Sequence, residues 1–394
     1  MLSNVSLSGN HAGVGGSDKK AQRSEFKGLE DSETARRKML LVTGGAGFIG
    51  TNFVRHILSV RPGWRIVNLD KLTYAANPAN FADLSPEPAE RHRLVHGDIC
   101  DQALLDSLFA EHHFDAVCHF AAESHVDRSI LAPETFVRTN VLGTFRLLEA
   151  SRTYLKNKAK ASDFIFLHIS TDEVFGSLSA EGHFTERTAY NPSSPYSASK
   201  AASDHFVKAY FCTYGLPGII TNCSNNFGPY QFPEKLIPLV ILNIMEQKSL
   251  PVYGDGRNIR DWLYVTDHCD ALLTVLERGR PGETYTIGAN EEHRNIQLVH
   301  RLCDLLDNRL DRSGNNSSHR LIRFVKDRPG HDKRYAIDAS KLRNELGWQP
   351  KYPFDEALES TVDWYLNHMD WVESVRSGDY LKWIEINYGS REEK

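Results

Sequence analysis

The chain has 394 residues, 41% hydrophobic and 25% charged, enough for one extensive core with a smaller lobe. A formal net charge of −5 gives no electrostatic basis for partnership with nucleic acid or an anionic membrane surface, and no apolar run approaches the roughly 18–20 residues of a membrane span. The six cysteines (Cys100, Cys118, Cys212, Cys223, Cys269 and Cys303) form no Cys-x-x-Cys pair, which predicts buried free thiols and no metal site.

The first 38 residues are rich in Gly, Ser, Asn, Lys and Glu and lack the apolar stretch of a signal peptide, so they are expected to form a disordered extension. From residue 39 strands and helices alternate. Met39–Thr43 is a short apolar strand, followed by a glycine-rich turn and a helix over Phe48–Leu58. Strands are expected at Arg65–Asp70, Arg93–Asp98, Ala116–Ala122, Phe164–Ser170 and Gly218–Asn225, and helices near 101–111, near 133–155 and from Tyr196 onward. This rhythm predicts an α/β fold, a Rossmann-type doubly wound parallel sheet with a smaller C-terminal substrate-binding lobe. Residues 39–228 are expected to form mainly the dinucleotide-binding domain. Residues 229–394, punctuated by Pro and Gly, should form mainly the second lobe, with some strands and helices returning to the first domain. Asp307–His319 reads as a polar surface loop.

Thr43-Gly44-Gly45-Ala46-Gly47-Phe48-Ile49-Gly50 places Gly44, Gly47 and Gly50 in G-x-x-G-x-x-G spacing between a strand and a helix. The first glycine permits a tight turn, the second a close approach to a pyrophosphate, and the third close helix–strand packing. Asp70, 20 residues beyond Gly50, would accept hydrogen bonds from a ribose diol and repel a 2′-phosphate, which favours NAD over NADP. Asp98, beside Ile99, reads equally as an adenine contact or as the N-cap of the next helix. In Phe120-Ala121-Ala122-Glu123-Ser124-His125, small residues at a strand end would let a cofactor pass and Ser124 reach a sugar hydroxyl, while His125 reads more readily as structural.

Two further elements carry chemistry. Tyr196 and Lys200, four apart on a helix, share a face; the ammonium should lower the phenol's pKa, so that a phenolate can take an alcohol proton as hydride departs. Thr171-Asp172-Glu173, at a strand end upstream, adds an acid and a base that a plain dehydrogenase does not need. Mutual repulsion and desolvation should keep Asp172 protonated.

With these motifs stand DKLTYAAN (70–77), AAESHVDRSI (121–130), TDEVFG (171–176), YSASK (196–200), NCSNNFGPYQFPEKLIPLVILN (222–243), PVYGDG (251–256), RDWLYVTDH (260–268) and DRPGHDKRYAID (327–338). In that order they resemble the nucleotide-sugar branch of the extended short-chain dehydrogenases/reductases, most closely the dTDP-glucose 4,6-dehydratases, over about residues 39–390. Departures are Phe175 and Phe227, where the family often has Tyr, Thr266 in place of an acid, and a short stretch between Gly176 and Tyr196.

The resemblance implies conversion of dTDP-glucose to dTDP-4-dehydro-6-deoxyglucose with bound NAD, in the cytoplasm, on the way to a deoxysugar such as rhamnose. It implies catalytic roles for Thr171, Asp172, Glu173, Tyr196 and Lys200. Cofactor contacts would come from Gly44, Gly47, Phe48, Ile49, Gly50, Asp70, Lys71, Leu72, Thr73, Asp98, Ile99, Phe120, Ala121, Ala122, Ser124, Thr139, Tyr196, Lys200 and Asn226. Substrate contacts would come from Ser124, Thr171, Asn225, Lys235, Leu236, Pro251, Val252, Tyr253, Arg260, Asn295, Asp327, Arg328, Pro329, Gly330 and His331. It also implies a homodimer joined by the helices near 133–155 and 196–213. Alternatives are a UDP-glucose 4,6-dehydratase, a nucleotide-sugar 4-epimerase or decarboxylase, and a catalytically silent NAD-binding regulator.

Overall fold

The computed structural model describes residues 37–157, 163–376 and 387; all but the last two residues of the expected N-terminal extension lie outside them. Seven strands among the described residues form one parallel sheet: β1 (Met39–Thr43), β2 (Arg65–Asp70), β3 (His92–His96), β4 (Ala116–His119), β5 (Ile165–Thr171), β6 (Gly218–Cys223) and β10 (Thr284–Ile287). Their order is β10-β6-β5-β4-β1-β2-β3, so the winding reverses between β1 and β4, where a doubly wound sheet opens a crevice at its carboxyl edge.

These strands read as continuous apolar runs because both faces are covered. Along β1, Leu40 and Val42 point into one core and Leu41 into another; on β5, Leu167 and Ile169 oppose Phe166 in the same way. The first core packs against α1 (Phe48–Val60) and α6 (Val265–Arg278). The second packs against α2 (Gln102–Glu111), α3 (Thr144–Lys156) and α4 (Pro195–Tyr214). A capping box between Ser194 and Ser197, with Pro195 at the first helical position, starts α4, and Gly215 ends it in the left-handed region at φ 69°.

A third core lies between α5 (Leu236–Met245), α7 (Asn295–Arg309) and α8 (Phe354–Asn367). Beside it, β9 (Ile259–Tyr264) pairs antiparallel with β11 (Glu292–Arg294) and parallel with β7 (Asn225–Phe227), and β8 (Leu250–Tyr253) pairs with β12 (Ile322–Val325). This half of the chain also sends α6 and β10 back to the large sheet.

Several boundaries differ from the sequence expectation. The strand read as Gly218–Asn225 is two: β6 ends at Cys223, the Ser224 amide donates to Ile287 O, and Asn225 begins β7 in the other sheet. The helix near 133–155 is interrupted by a π-helical stretch at Val137–Gly143, a winding frequent at functional sites. The fourth strand stops at His119, leaving Phe120–Ser124 as a loop. The Asp307–His319 stretch is drawn into order by Asp307, whose carboxylate accepts from the Ser317 hydroxyl and from the Ser318 amide and hydroxyl. Four thiols are buried and Cys100 is half-buried, but Cys212 is exposed, against the expectation for all six.

Candidate active site

One cleft runs along the carboxyl edge of the sheet at the switch point, from the glycine turn to the ends of β5 and β6. At its floor Gly44 adopts φ +72°, and a Cβ there would fall 2.6 Å from the Ala121 main chain, so only glycine lets the two segments meet. Gly47 is the N-cap of α1, and a Cβ on it would meet only Gly44 O at 3.4 Å. The first amides of α1 are therefore approachable, and the first turn carries no acidic side chain to repel an anion.

Asp70 closes β2 with its carboxylate fixed by the Ala46 amide at 2.9 Å and the Leu72 amide at 2.8 Å. Its position at the cleft wall suits a ribose diol and opposes a 2′-phosphate. Leu72 does not line the cleft; it contributes this backbone bond from a left-handed φ of 52°. Asp98 pairs with Lys71 at 2.9 Å and accepts from the Cys100 amide, while Asp101 caps α2 through the Leu104 amide. The capping alternative thus belongs to Asp101, and Asp98 lines the cleft beside Ile99. Phe48, Ile49, Gly50, Thr73, Phe120, Ala121, Ala122, Ser124 and Thr139 complete a wall of small and apolar groups. A glycine turn, an open helix N-terminus, an anchored acid and this wall fit a dinucleotide. His125 is buried and lies 3.9 Å from both Asp127 and Glu234; burial first, then the charges of Lys235, Arg128 and Arg328, hold its pKa well below the usual histidine value, in keeping with a structural role.

Thr171, Asp172 and Glu173 turn into the cleft at the end of β5, with Thr171 Oγ1 accepting from the Glu173 amide at 3.2 Å and donating to Asp172 at 3.3 Å. Asp172 is 2% exposed and its Oδ2 has no hydrogen-bond partner. Burial, then the neighbouring charge of Glu173, then Asp261, push the Asp172 pKa well above the usual carboxylate range. Burial also raises Glu173, but Arg328, Lys235 and Arg260 oppose the shift. The pair is thus an acid biased toward its protonated form beside a carboxyl group facing three cations.

Tyr196 and Lys200 present their side chains to the same cleft from α4. Lys200 Nζ donates to Ile169 O at 2.8 Å. The expected lowering of the phenol is not what the protein alone produces: burial, followed by the charge of Glu173, raises Tyr196 well above its ordinary value. Sequence spacing identifies the lysine neighbour but not the desolvation, which outweighs the lowering hydrogen bond from Thr171.

Across the cleft Lys235 Nζ donates to Ser124 O at 3.1 Å, joining the two halves. Arg260 is held by Ile259 O and Asp332 O with its guanidinium 4.3 Å from the Tyr335 ring centre. Arg328 lies 3.5 Å from Asp127 and keeps a buried Nε without a hydrogen-bond partner. His331 bonds Asp327 at 2.6 Å and meets Tyr253 edge-on at 6.1 Å; the turn between them passes through Pro329 and through Gly330 at φ 66°. Asn225 and Asn226 line the cleft, Asn226 bonded to His268 at 2.8 Å.

Of the substrate candidates, Ser124, Thr171, Asn225 and Lys235 line this cleft; Tyr253, Arg260 and Asp327–His331 stand beyond its lining, with the charges of Arg260 and Arg328 reaching Glu173, and so do Leu236, Pro251, Val252 and Asn295. The Val252 side chain is buried in the third core, which leaves only its main chain for a ligand. Leu236 packs on that core, Pro251 lies in β8, and Asn295 starts α7 with a buried Oδ1 that has no hydrogen-bond partner. Sequence reasoning missed Glu234, which lines the cleft and accepts from Tyr74 and Arg128 at 3.1 Å each. It also missed Asn140, whose amide clamps both main-chain groups of Glu123 and donates to Ser199 at 2.8 Å. The single Asn of the helical stretch from Pro133 to Lys156 was the available signal. Among the described residues no three His, Cys, Asp or Glu side chains are grouped to hold a metal, and no helix is long and apolar enough to cross a membrane.

Residues 41–361 match the family model described as GDP-mannose 4,6 dehydratase. The chain is 55% identical to a dTDP-glucose 4,6-dehydratase of Shigella flexneri over 90% of its own length and 99% of the relative's. It is 57% identical to one from Xanthomonas campestris pv. campestris (strain B100), over 86% and 96%. Among solved structures it is similar to the dTDP-glucose 4,6-dehydratase DesIV from Streptomyces venezuelae with NAD and TYD bound, with a TM-score of 0.77, 45% identity and coverage of 86% of this chain and 99% of that one. It is also similar to the UDP-glucose 4-epimerase of Thermus thermophilus in complex with NAD, with a TM-score of 0.73, 26% identity and coverage of 84% and 99%.

Proposed function

The chain belongs to the dTDP-glucose 4,6-dehydratase family, and we propose that it converts dTDP-glucose to dTDP-4-dehydro-6-deoxyglucose and water with a resident NAD. The observation that carries this reading is the buried Asp172, raised beside Glu173, at the mouth of the Tyr196/Lys200 pair. An epimerase needs only the second pair.

Removing water across C5–C6 of a hexose is hard because the C5 proton is not acidic; a C4 ketone makes it so by allowing an enolate. Bound NAD, held by Asp70, Lys71, Asp98 and the glycine turn, would supply the hydride acceptor for that oxidation and the hydride donor for C6, for no net redox change. Tyr196 takes the C4 hydroxyl proton with Thr171 as hydrogen-bonding partner, and Lys200 orients the cofactor's ribose and adds positive charge near the phenol. Glu173 removes the C5 proton and, exchanging with solvent, returns one to C5 as hydride reaches C6. Asp172, protonated for the reasons given, donates to the leaving C6 hydroxyl. Lys235, Arg260 and Arg328 meet the substrate pyrophosphate, while Tyr253 and the Asp327–His331 turn receive the nucleoside.

On this reading residues 39–228 mainly serve the cofactor and residues 229–394 mainly the nucleotide sugar. A homodimer is supported by apolar side chains left exposed on the helical layer around α4: Leu131 (64%), Val137 (55%), Leu142, Phe206 and Tyr214 (55%). A cytoplasmic place in deoxysugar synthesis fits this substrate.

The direct test is incubation of the NAD-loaded protein with dTDP-glucose, UDP-glucose, CDP-glucose and GDP-mannose, with detection of the 4-keto product. A 4-keto-6-deoxy product from dTDP-glucose in preference to the others is expected. Epimerised sugar without a keto product, or preference for UDP-glucose, would overturn the assignment.

A further inference from the structure

Behind the Tyr196/Lys200 pair lies a buried polar hub that the reaction scheme does not use. Asp204 follows Lys200 by four residues on α4, so the two share a face, and it is 1% exposed. Its Oδ2 accepts from the Ser170 hydroxyl at 2.8 Å, the Tyr190 hydroxyl at 2.9 Å and the Asn222 amide at 3.3 Å. Its Oδ1 lies 3.1 Å from His168 Nε2. Three donors thus converge on one carboxylate oxygen. They come from β5, from the loop preceding α4 and from β6, so the group cannot swing. The hub also touches the acid–base end of the cleft: Ser170 precedes Thr171, and Asn222 donates to Thr171 O at 3.1 Å.

We propose that Asp204 is a positioning residue for the first oxidation, a fixed counter-charge one helical turn behind Lys200 that keeps the lysine an ammonium and holds its reach into the cleft. The proposal rests on the reading of Tyr196 and Lys200 as the proton-accepting pair.

Lys200 is 4% exposed and its hydrogen bond goes to a neutral carbonyl, so its charge needs support from farther away. The groups facing it are Cys223 on β6, His119 on β4, His168 on β5, and Tyr196 and Asp204 on its own helix. Burial raises the Cys223 thiol to about 12, lowers His168 to about 4 and drives His119 well below its usual value. None of these three is charged near neutrality. Burial lowers Lys200 and Asp204 leads the opposing influences. Asp204 itself faces His168, Ser170, Tyr190 and Asn222, and the Tyr190 phenol, pushed up by burial and then by Asp204, stays neutral.

The test is the rate of NADH appearance in the first turnover after rapid mixing of NAD-loaded protein with dTDP-glucose, from pH 6 to 10. Removing a negative charge lowers the pKa of a nearby ammonium. Asp204→Asn is therefore expected to move the alkaline limb down by about one unit or more and to slow the first turnover roughly tenfold at pH 8. Asp204→Glu, which keeps the charge, should retain the limb of the parent at a lower rate. Equal losses in both variants with an unmoved limb would reduce Asp204 to a packing role and overturn the proposal, as would an Asp204→Asn rate within twofold of the parent. If Asp204→Asn does not fold, Lys200→Met supplies the second arm, since it leaves the carboxylate without its cation. The double variant Lys200→Met/Asp204→Asn should melt above Lys200→Met, and a lower melting temperature would refute the charge pairing. Tyr196→Phe run in parallel separates the two readings. If it leaves the first turnover unchanged, the proton-acceptor assignment fails; if it slows that turnover while Asp204→Asn does not, only Asp204 is misassigned.

Discussion

The two ends of the cleft are built from different materials. The glycine-turn end consists of main chain, small and apolar side chains, Asp70 with its oxygens tied to amides, and the Asp98–Lys71 pair. The β5–α4 end concentrates Asp172, Glu173, Tyr196 and Lys200 in a buried space, faced by Lys235, Arg260 and Arg328. The first end offers shape and backbone dipoles, and its hydrogen bonds are already made. The groups of the second are shifted from their solution pKa values by desolvation, Asp172, Glu173 and Tyr196 upward and Lys200 downward. Substitutions at the two ends should therefore fail differently.

The largest effect is expected at the chemical end. Tyr196→Phe should lower the first hydride transfer by about 10³-fold or more, measured as NADH absorbance in a single turnover. An unchanged rate would remove Tyr196 as the acceptor. Glu173→Gln should lower turnover by about 10²–10³-fold and abolish solvent-deuterium incorporation at C5; normal incorporation would place the base elsewhere. Asp172→Asn should slow elimination by about 10²-fold while leaving C4 oxidation intact, so bound NADH accumulates on addition of substrate. The smallest kinetic effect belongs to the other end. Asp70→Ser should weaken NAD binding by roughly tenfold and narrow its preference over NADP, read by titration of the two cofactors, with the chemical step little changed once the site is saturated.

Stability should sharpen the same contrast. The folded-state pKa of Asp172 lies above its unfolded value, so its contribution is fully present below the unfolded pKa of about 3.9 and is lost as pH rises through the raised folded value. Asp172→Asn should therefore melt a few degrees above the parent at pH 8, with the gap closing toward pH 4. A gap constant with pH would mean that charging Asp172 costs the fold nothing.

The glycine-turn end was the more legible in sequence. Met39–Thr43, Gly44, Gly47, Gly50 and Asp70 are local features: a strand, a turn and an acid at fixed spacing, each serving a role that neighbouring residues define. That Asp172, Glu173, Tyr196 and Lys200 share one cleft was legible from their motifs, and the raised Asp172 followed from its neighbour and its place at a strand end. The sign at Tyr196 did not follow, because burial is a property of the assembled cleft. Asn140 and Asp204 were illegible for a similar reason. The partners of Asn140 lie 17 and 59 residues away, and those of Asp204 include Ser170 at 34. Val252 shows the limit of carrying over a segment as a unit: its side chain faces the core, so any contact it makes with a ligand would come from its main chain.

The return of α6 and β10 to the large sheet has a practical corollary for recombination among relatives. The chain crosses from one lobe to the other more than once, so no single cut near residue 228 yields two self-sufficient pieces. A fragment ending there would lack the strand that pairs with β6 and the helix that covers one face of the sheet through Cys269, Leu272 and Val275. A chimaera meant to exchange the nucleotide-sugar pocket alone would have to leave residues 265–287 with the original sheet and graft the segments on either side of them.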